Sequence, residues 1–220
     1  MTRLGVAHTE KETLSLLRSC KTWTRSTRLG VDNGYLMLGM RRWIQSPGIG
    51  MKTSGNELLV QALTTLVACA KPDFRFTSIY INKNFSGVLH SDKGNDGDSV
   101  MYTVGDFTGG DLWIYPYNRH HTKDTWLQFD GKYPHCTYPY EGLDRFSIIF
   151  FTHEAYEEAT DQMKAELESY GFSLPTHMVK QPSICSISEA AKLLPPELKC
   201  RIPLPRPTKS AVVKCPSGKP

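Results

Sequence analysis

A chain of 220 residues, 40% hydrophobic and 22% charged, is long enough to bury one ordinary core, and no apolar run in it approaches the roughly 18 residues that a membrane span requires. The first residues mix charges into their apolar positions and lack an apolar stretch with a small-residue cleavage site, so no membrane or secretory route is expected and the cytoplasm or nucleus is the default. The net charge of +4 is uneven: from Thr176 onward eight Lys and Arg stand against only Glu189 and Glu197, which leaves the rest of the chain slightly acidic.

Residues 1–73 read as helical and irregular. "GNELLVQALTTLVACAKP" sets Leu58, Leu59, Ala62, Leu63 and Leu66 at helical spacing, and Lys71-Pro72 stops it. Upstream, "KTWTRSTRLG" and "MRRWIQSPG" place arginines beside tryptophans, a pattern that suits phosphates and stacked bases and equally suits arginine stems over an aromatic core edge. From Phe74 the period changes. "FRFTSIYINKN", "SVMYTVGDF", "DLWIYPY", "DTWLQFDGKYPHCTY" and "DRFSIIFFT" are short β-prone stretches separated by turns with no helices between, which predicts an antiparallel barrel or jelly roll. "THEAYEEATDQMKAELESYG" then reads as one closing helix, capped by Thr152 and ended by Gly171.

The expected organisation is therefore an N-terminal helical support over 1–73, a β core with its closing helix over 74–175, and a basic tail over 176–220. That tail holds eight of the fourteen prolines and one short helical candidate, "SEAAKLL", so it is expected to be largely flexible. The six cysteines are too dispersed for a CxxC zinc site and are read as thiols.

The chemistry concentrates in "GVLHSDKGNDGDSVMYTVGDFTGGDLWIY". In a strand, residues i and i+2 share a face, so His90 and Asp92 can point together into a barrel. A histidine from a later strand, His135, would complete two imidazoles and one carboxylate, the facial set that leaves positions open on a non-haem Fe(II). A dicarboxylate cosubstrate would also need a buried guanidinium for its far end, and Arg145 lies ten residues beyond His135 with Ser147 on the same face.

This set, His90-x-Asp92, His135, then Arg145-x-Ser147, resembles the signature of the Fe(II)/2-oxoglutarate-dependent dioxygenases, and "FTGGDLWIY" resembles the Gly-Gly turn between central strands of that family. The resemblance spans about Phe74 to Phe151. It implies a mainly β fold with flanking helices, the double-stranded β-helix (a cupin-like jelly roll). It also implies Fe(II) on His90, Asp92 and His135; 2-oxoglutarate on Arg145 and Ser147, with Asn82 and Tyr102 as further contacts; and O2 as oxidant. The loop after the HxD pair is most similar to TET/JBP-type nucleobase dioxygenases. That implies hydroxylation of the methyl group of a pyrimidine, thymine or 5-methylcytosine, in nucleic acid, with Lys93, Asn95, Arg119 and His120 near the substrate.

Two alternatives stand beside it. A similar barrel serves prolyl-type protein hydroxylases, although those commonly anchor the oxoacid with Lys where Arg145 stands. A catalytically inactive binding module on the same fold would use the basic tail as a tether. Other readings fail on the residues: an EF-hand loop starting at Asp92 needs Glu at its twelfth position, where Thr103 stands, and the chain contains no HExxH zinc motif.

Overall fold

A computed structural model describes residues 3–25, 33–179 and 185–203. Lys180, Arg206, Lys209, Lys214 and Lys219, five of the basic residues assigned to the tail, lie outside the described residues.

In chain order the elements are α1 (Arg3–Ser19), β1 (Thr24–Arg25), β2 (Gly34–Trp43), β3 (Ser46–Ile49), α2 (Glu57–Ala70), β4 (Ser78–Lys83), β5 (Asn95–Gly109), β6 (Leu112–Ile114), β7 (Asn118–His120), β8 (Trp126–Phe129), β9 (His135–Thr137), β10 (Tyr140–His153), α3 (Asp161–Ser169) and α4 (Ile187–Leu193). Among the described residues they form a seven-stranded sheet, β1-β2-β4-β10-β5-β8 with β3 on β2, and a three-stranded sheet, β7-β6-β9. Every strand pair is antiparallel. This is the expected mainly β jelly roll with flanking helices, and no described helix is long and apolar enough to cross a membrane.

Strand parity decides what lies where. Phe146, Ile148 and Phe150 of β10, Val100, Tyr102 and Val104 of β5, Ile79 and Ile81 of β4, and Leu36, Leu38 and Met40 of β2 face one side. There they bury Leu17 of α1 and Leu59, Val60, Leu63, Leu66 and Val67 of α2 in one apolar cluster. The intervening residues, among them Tyr80, Asn82, Met101, Arg145, Ser147 and Ile149, line a cavity of about 920 Å³ on the opposite side. Leu112 and Ile114 of β6 close that interior from the smaller sheet, while Trp113 between them points outward.

Three expectations need correction. The region 1–73 was expected to be helical and irregular, yet it contributes β2, a ten-residue strand that pairs along β4 from Gly34↔Lys83 to Gly39↔Ser78. Its continuous apolar run "YLMLGM" hides the alternation, because Gly39, with φ +79, supplies the break that lets the strand turn toward β3. The single closing helix is instead a 3-10 turn, Glu154–Glu158, capped by His153, and a separate α3 capped by Thr160, whose hydroxyl accepts from the Met163 amide. Gly171, with φ +89, ends α3 as expected, with its amide on Glu168 O and that of Phe172 on Leu167 O.

The third concerns the tail. Residues 185–203 fold onto the outer face of the smaller sheet: α4 and the 3-10 turn Pro196–Arg201 bury Ala190, Leu194 and Leu198 against Leu89, Trp113, Cys136 and Tyr138. Pro195, Pro196 and Pro203 suggest an extended chain, but a capping box of Ser186 and Glu189 starts α4 and the apolar outer face of β6 and β9 receives it.

Candidate metal centre

Residues 85–91 leave β4 as irregular chain and run beside β9. His90 and His135 exchange both backbone hydrogen bonds, at 3.0 and 2.8 Å; further along, the Thr137 amide donates to Gly87 O at 3.0 Å and the Gly87 amide to the Thr137 hydroxyl at 3.2 Å. His90 and Asp92 therefore meet through a loop tied to β9, not through a strand of their own as their i, i+2 spacing suggested. The Asp92 amide donates to Gly131 O at 2.9 Å. A Cβ at residue 131 would stand 2.9 Å from Asp92 Oδ2, so a larger residue there would push on the carboxylate.

The donor atoms of His90, Asp92 and His135 all lie within 4.8 Å of one another. His90 Nε2 is 3.6 Å from Asp92 Oδ1 and His135 Nε2 is 3.8 Å from Asp92 Oδ2. His90 Nδ1–H donates to Val88 O at 2.6 Å and His135 Nδ1–H to Tyr133 O at 2.8 Å. A carbonyl only accepts, so each ring carries a proton on Nδ1 and turns Nε2 toward Asp92. Burial, reinforced by neighbouring His90, lowers the His135 pKa to about 4, which keeps that imidazole neutral. Two imidazoles and one carboxylate, with His90 half exposed, form a donor set fit for a divalent first-row cation with open positions.

Arg145 sits deeper in the same cavity, 2% exposed. Its two terminal nitrogens donate to Phe85 O at 3.2 Å and Gly110 O at 3.0 Å, while its buried Nε–H has no partner. Burial lowers its pKa to about 10, the sign of a cation held without full compensation. Such a group is costly unless an anion completes it. The Gly-Gly turn explains itself here: Gly109 and Gly110 both have φ +74, and a Cβ on Gly110 would stand 2.8 Å from Arg145 Nε.

The remaining expected residues separate. Ser147 and Asn82 are register partners across β10 and β4 and both line the cavity; Ser147 Oγ lies 3.6 Å from Met101 Sδ. Asn95 lines it too, donating to Ser99 Oγ at 3.1 Å with Asp92 Oδ2 at 3.4 Å. Tyr102 does not: it pairs with Ile148, on the helix side, where it stacks on Trp126 and donates to Glu10 at 3.1 Å. Lys93 is exposed on the loop beyond Asp92. Arg119 is held by Asp111 at 2.7 Å and covers Tyr138, and His120 lies beside it on β7; neither lines the cavity. Sequence reasoning missed Thr137, which lines the cavity; the i+2 rule applied to His135 would have found it.

Beyond the three donors the cavity runs across β4 and β2 toward the β2–β3 hairpin. Arg25, Arg41, Arg42 and Lys52 line it there, with Tyr35 and Tyr80 stacked at 5.5 Å. Asp92 is the one carboxylate residue among its described lining.

No family model and no curated protein matches the sequence. Solved structures do. NgTET1, in complex with 5mC DNA, matches with a TM-score of 0.50 at 14% identity over 77% of each chain. A 2OG-Fe(II) oxygenase family oxidoreductase from Burkholderia pseudomallei matches with a TM-score of 0.48 at 16% identity over 66% of this chain and 78% of that one. A prolyl hydroxylase from Trichoplax adhaerens, in complex with a hypoxia inducible factor peptide, matches with 0.39 at 12% identity over 70% and 82%. At this identity the first likeness is one of fold.

Proposed function

We propose that this protein is an Fe(II)- and 2-oxoglutarate-dependent dioxygenase that hydroxylates a substrate C–H bond, and that its substrate is the methyl group of a pyrimidine base in nucleic acid. The observation that carries the enzyme class is the pairing of a His90, Asp92 and His135 donor set with a buried, incompletely partnered Arg145 in one cavity. A metal site alone would not need that guanidinium. Held by His90, Asp92, His135 and Arg145, Fe(II) with 2-oxoglutarate and O2 would supply a two-electron oxidation that puts one oxygen atom into a substrate C–H bond, the other going into succinate as the oxoacid is decarboxylated.

The chain's own residues hold and exclude. Arg145, with its unpartnered Nε–H, would hold the far carboxylate of the oxoacid; Ser147 and Asn82 stand beside it, and Gly110 leaves room for the guanidinium. Met101, Leu112, Phe129 and Ile149 make the inner walls apolar, which keeps water from the reacting carbon. For the substrate, the support is the four cations and stacked tyrosines lining the outer cavity, a surface that suits phosphates and unstacked bases better than a neutral peptide.

Anaerobic titration with Fe(II) and 2-oxoglutarate tests the class. A visible charge-transfer band is expected in the wild type and lost in His90→Ala and Arg145→Ala; a folded wild type without a band would leave a binding module. Succinate release is then expected with oligonucleotides bearing 5-methylcytosine or thymine and not with proline peptides.

A further inference from the structure

β2 and β3 form a two-residue hairpin, Trp43 pairing with Ser46 across Ile44 and Gln45. The first residue of such a turn, where φ is positive, is a glycine position. Here it is Ile44, with φ +52, and its side chain is 97% exposed. A β-branched residue in the left-handed region is a true outlier, and exposing it completely compounds the cost. Nothing in the fold requires isoleucine there, since it packs into none of the apolar clusters.

The tip is nevertheless held firmly. Arg42 donates to Gln45 O at 3.3 Å and to Glu158 at 2.6 Å, tying the hairpin to the 3-10 turn after β10. Trp43, 44% exposed, carries the Arg41 guanidinium 3.8 Å above its ring, and both line the cavity that holds the donor set. The hairpin thus presents a strained apolar point flanked by cationic and aromatic side chains at the rim of the candidate site.

We propose that Ile44 is a wedge, inserted into the base stack of duplex DNA at the step from which the target pyrimidine is unstacked into the cavity. The inference rests on the nucleic-acid reading above. An enzyme that acts on a base must take it out of the helix, and apolar side chains placed between base steps occupy the gap. Arg41 and Trp43 behind the tip meet the backbone and the exposed neighbouring base. A two-stranded β-ribbon enters the wide major groove of B-form DNA and is excluded from the deep, narrow one of A-form RNA, so the duplex is DNA.

The test uses the full chain, a DNA duplex carrying 2-aminopurine beside a 5-methylcytosine, and the matching single strand. Wild type and Ile44→Val are expected to raise 2-aminopurine fluorescence on the duplex. Ile44→Gly is expected to lose that rise and bind the duplex at least severalfold more weakly, with single-strand affinity unchanged. Glycine suits the turn, so this variant should melt about 2–4 °C higher, which separates lost wedging from misfolding. An equal rise with Ile44→Gly, or wild-type binding without a rise, overturns the wedge and leaves the substrate reading standing. No binding to either strand form by the wild type overturns the nucleic-acid reading, and the wedge with it.

Discussion

Gly110 shows how closely one residue can govern the candidate site. Its backbone has φ +74, its carbonyl accepts from Arg145, and its missing side chain leaves the space in which Arg145 Nε lies. Gly110→Ala should cost at least about 1–2 kcal/mol from the left-handed backbone alone, and should also displace the guanidinium. We expect 2-oxoglutarate affinity to fall by tenfold or more while metal affinity changes little, measurable by calorimetry with Mn(II) in place of iron. His135 carries a second expectation. Its folded pKa of about 4 lies below the ordinary 6.5, so between those values the folded state binds fewer protons than the unfolded chain. The metal-free protein should therefore lose stability as pH falls from about 6.5 to about 4, with half-buried His153, shifted the same way, adding to the loss. Melting temperatures across that range check this, and His135→Gln should flatten the slope. At this scale the gathering of His90, Asp92, His135, Arg145 and Ser147 in one cavity was legible in part, because the i, i+2 spacing joins His90 to Asp92 and Arg145 to Ser147. Tyr102 was not, because its face depends on a register with Ile148 set nearly fifty residues away. Arg119 stands outside the cavity lining, held by Asp111, a contact the sequence does not show because it is made when β6 and β7 pair.

Among the elements, the short helices at residues 185–203 have the clearest consequence. Leu198 is fully buried against the smaller sheet, and the Arg201 carbonyl accepts from the amide of Leu89, the residue before His90. Leu198→Ala should cost about 2–5 kcal/mol and should also weaken metal binding, because the loop bearing His90 loses a support. Thr160→Ala, which removes the α3 cap, should cost about 1 kcal/mol and leave metal affinity unchanged. Urea denaturation paired with Mn(II) titration distinguishes the two, and equal metal affinity in both variants would refute the link. Alternation made β4, β5, β6 and β10 readable as strands, and α2 was readable from its apolar stripe and its Lys71-Pro72 stop. β2 was obscured by an unbroken apolar run, and the α3 start by a 3-10 turn whose acidic residues look like a first helical turn.

For the molecule as a whole, the two sheets divide the work. The larger carries Arg145, Ser147 and Asn82 on β10 and β4, while His135 comes from the smaller, with His90 and Asp92 on the loop beside it. An all-antiparallel arrangement was foreseeable from short strands without intervening helices, but strand order was not, since it rests on pairings between distant segments. The bridge between His90 and His135 has a further meaning. Each residue donates its amide to the other's carbonyl, so neither can leave its place without releasing its neighbour. Their two amides should exchange with deuterated solvent as one opening unit, at a common rate, and should slow together when a metal is added. Unequal slowing would show that the two imidazoles engage the ion separately. A common rate would mean that the protein counts these two histidines as one part, assembled or lost in a single local event.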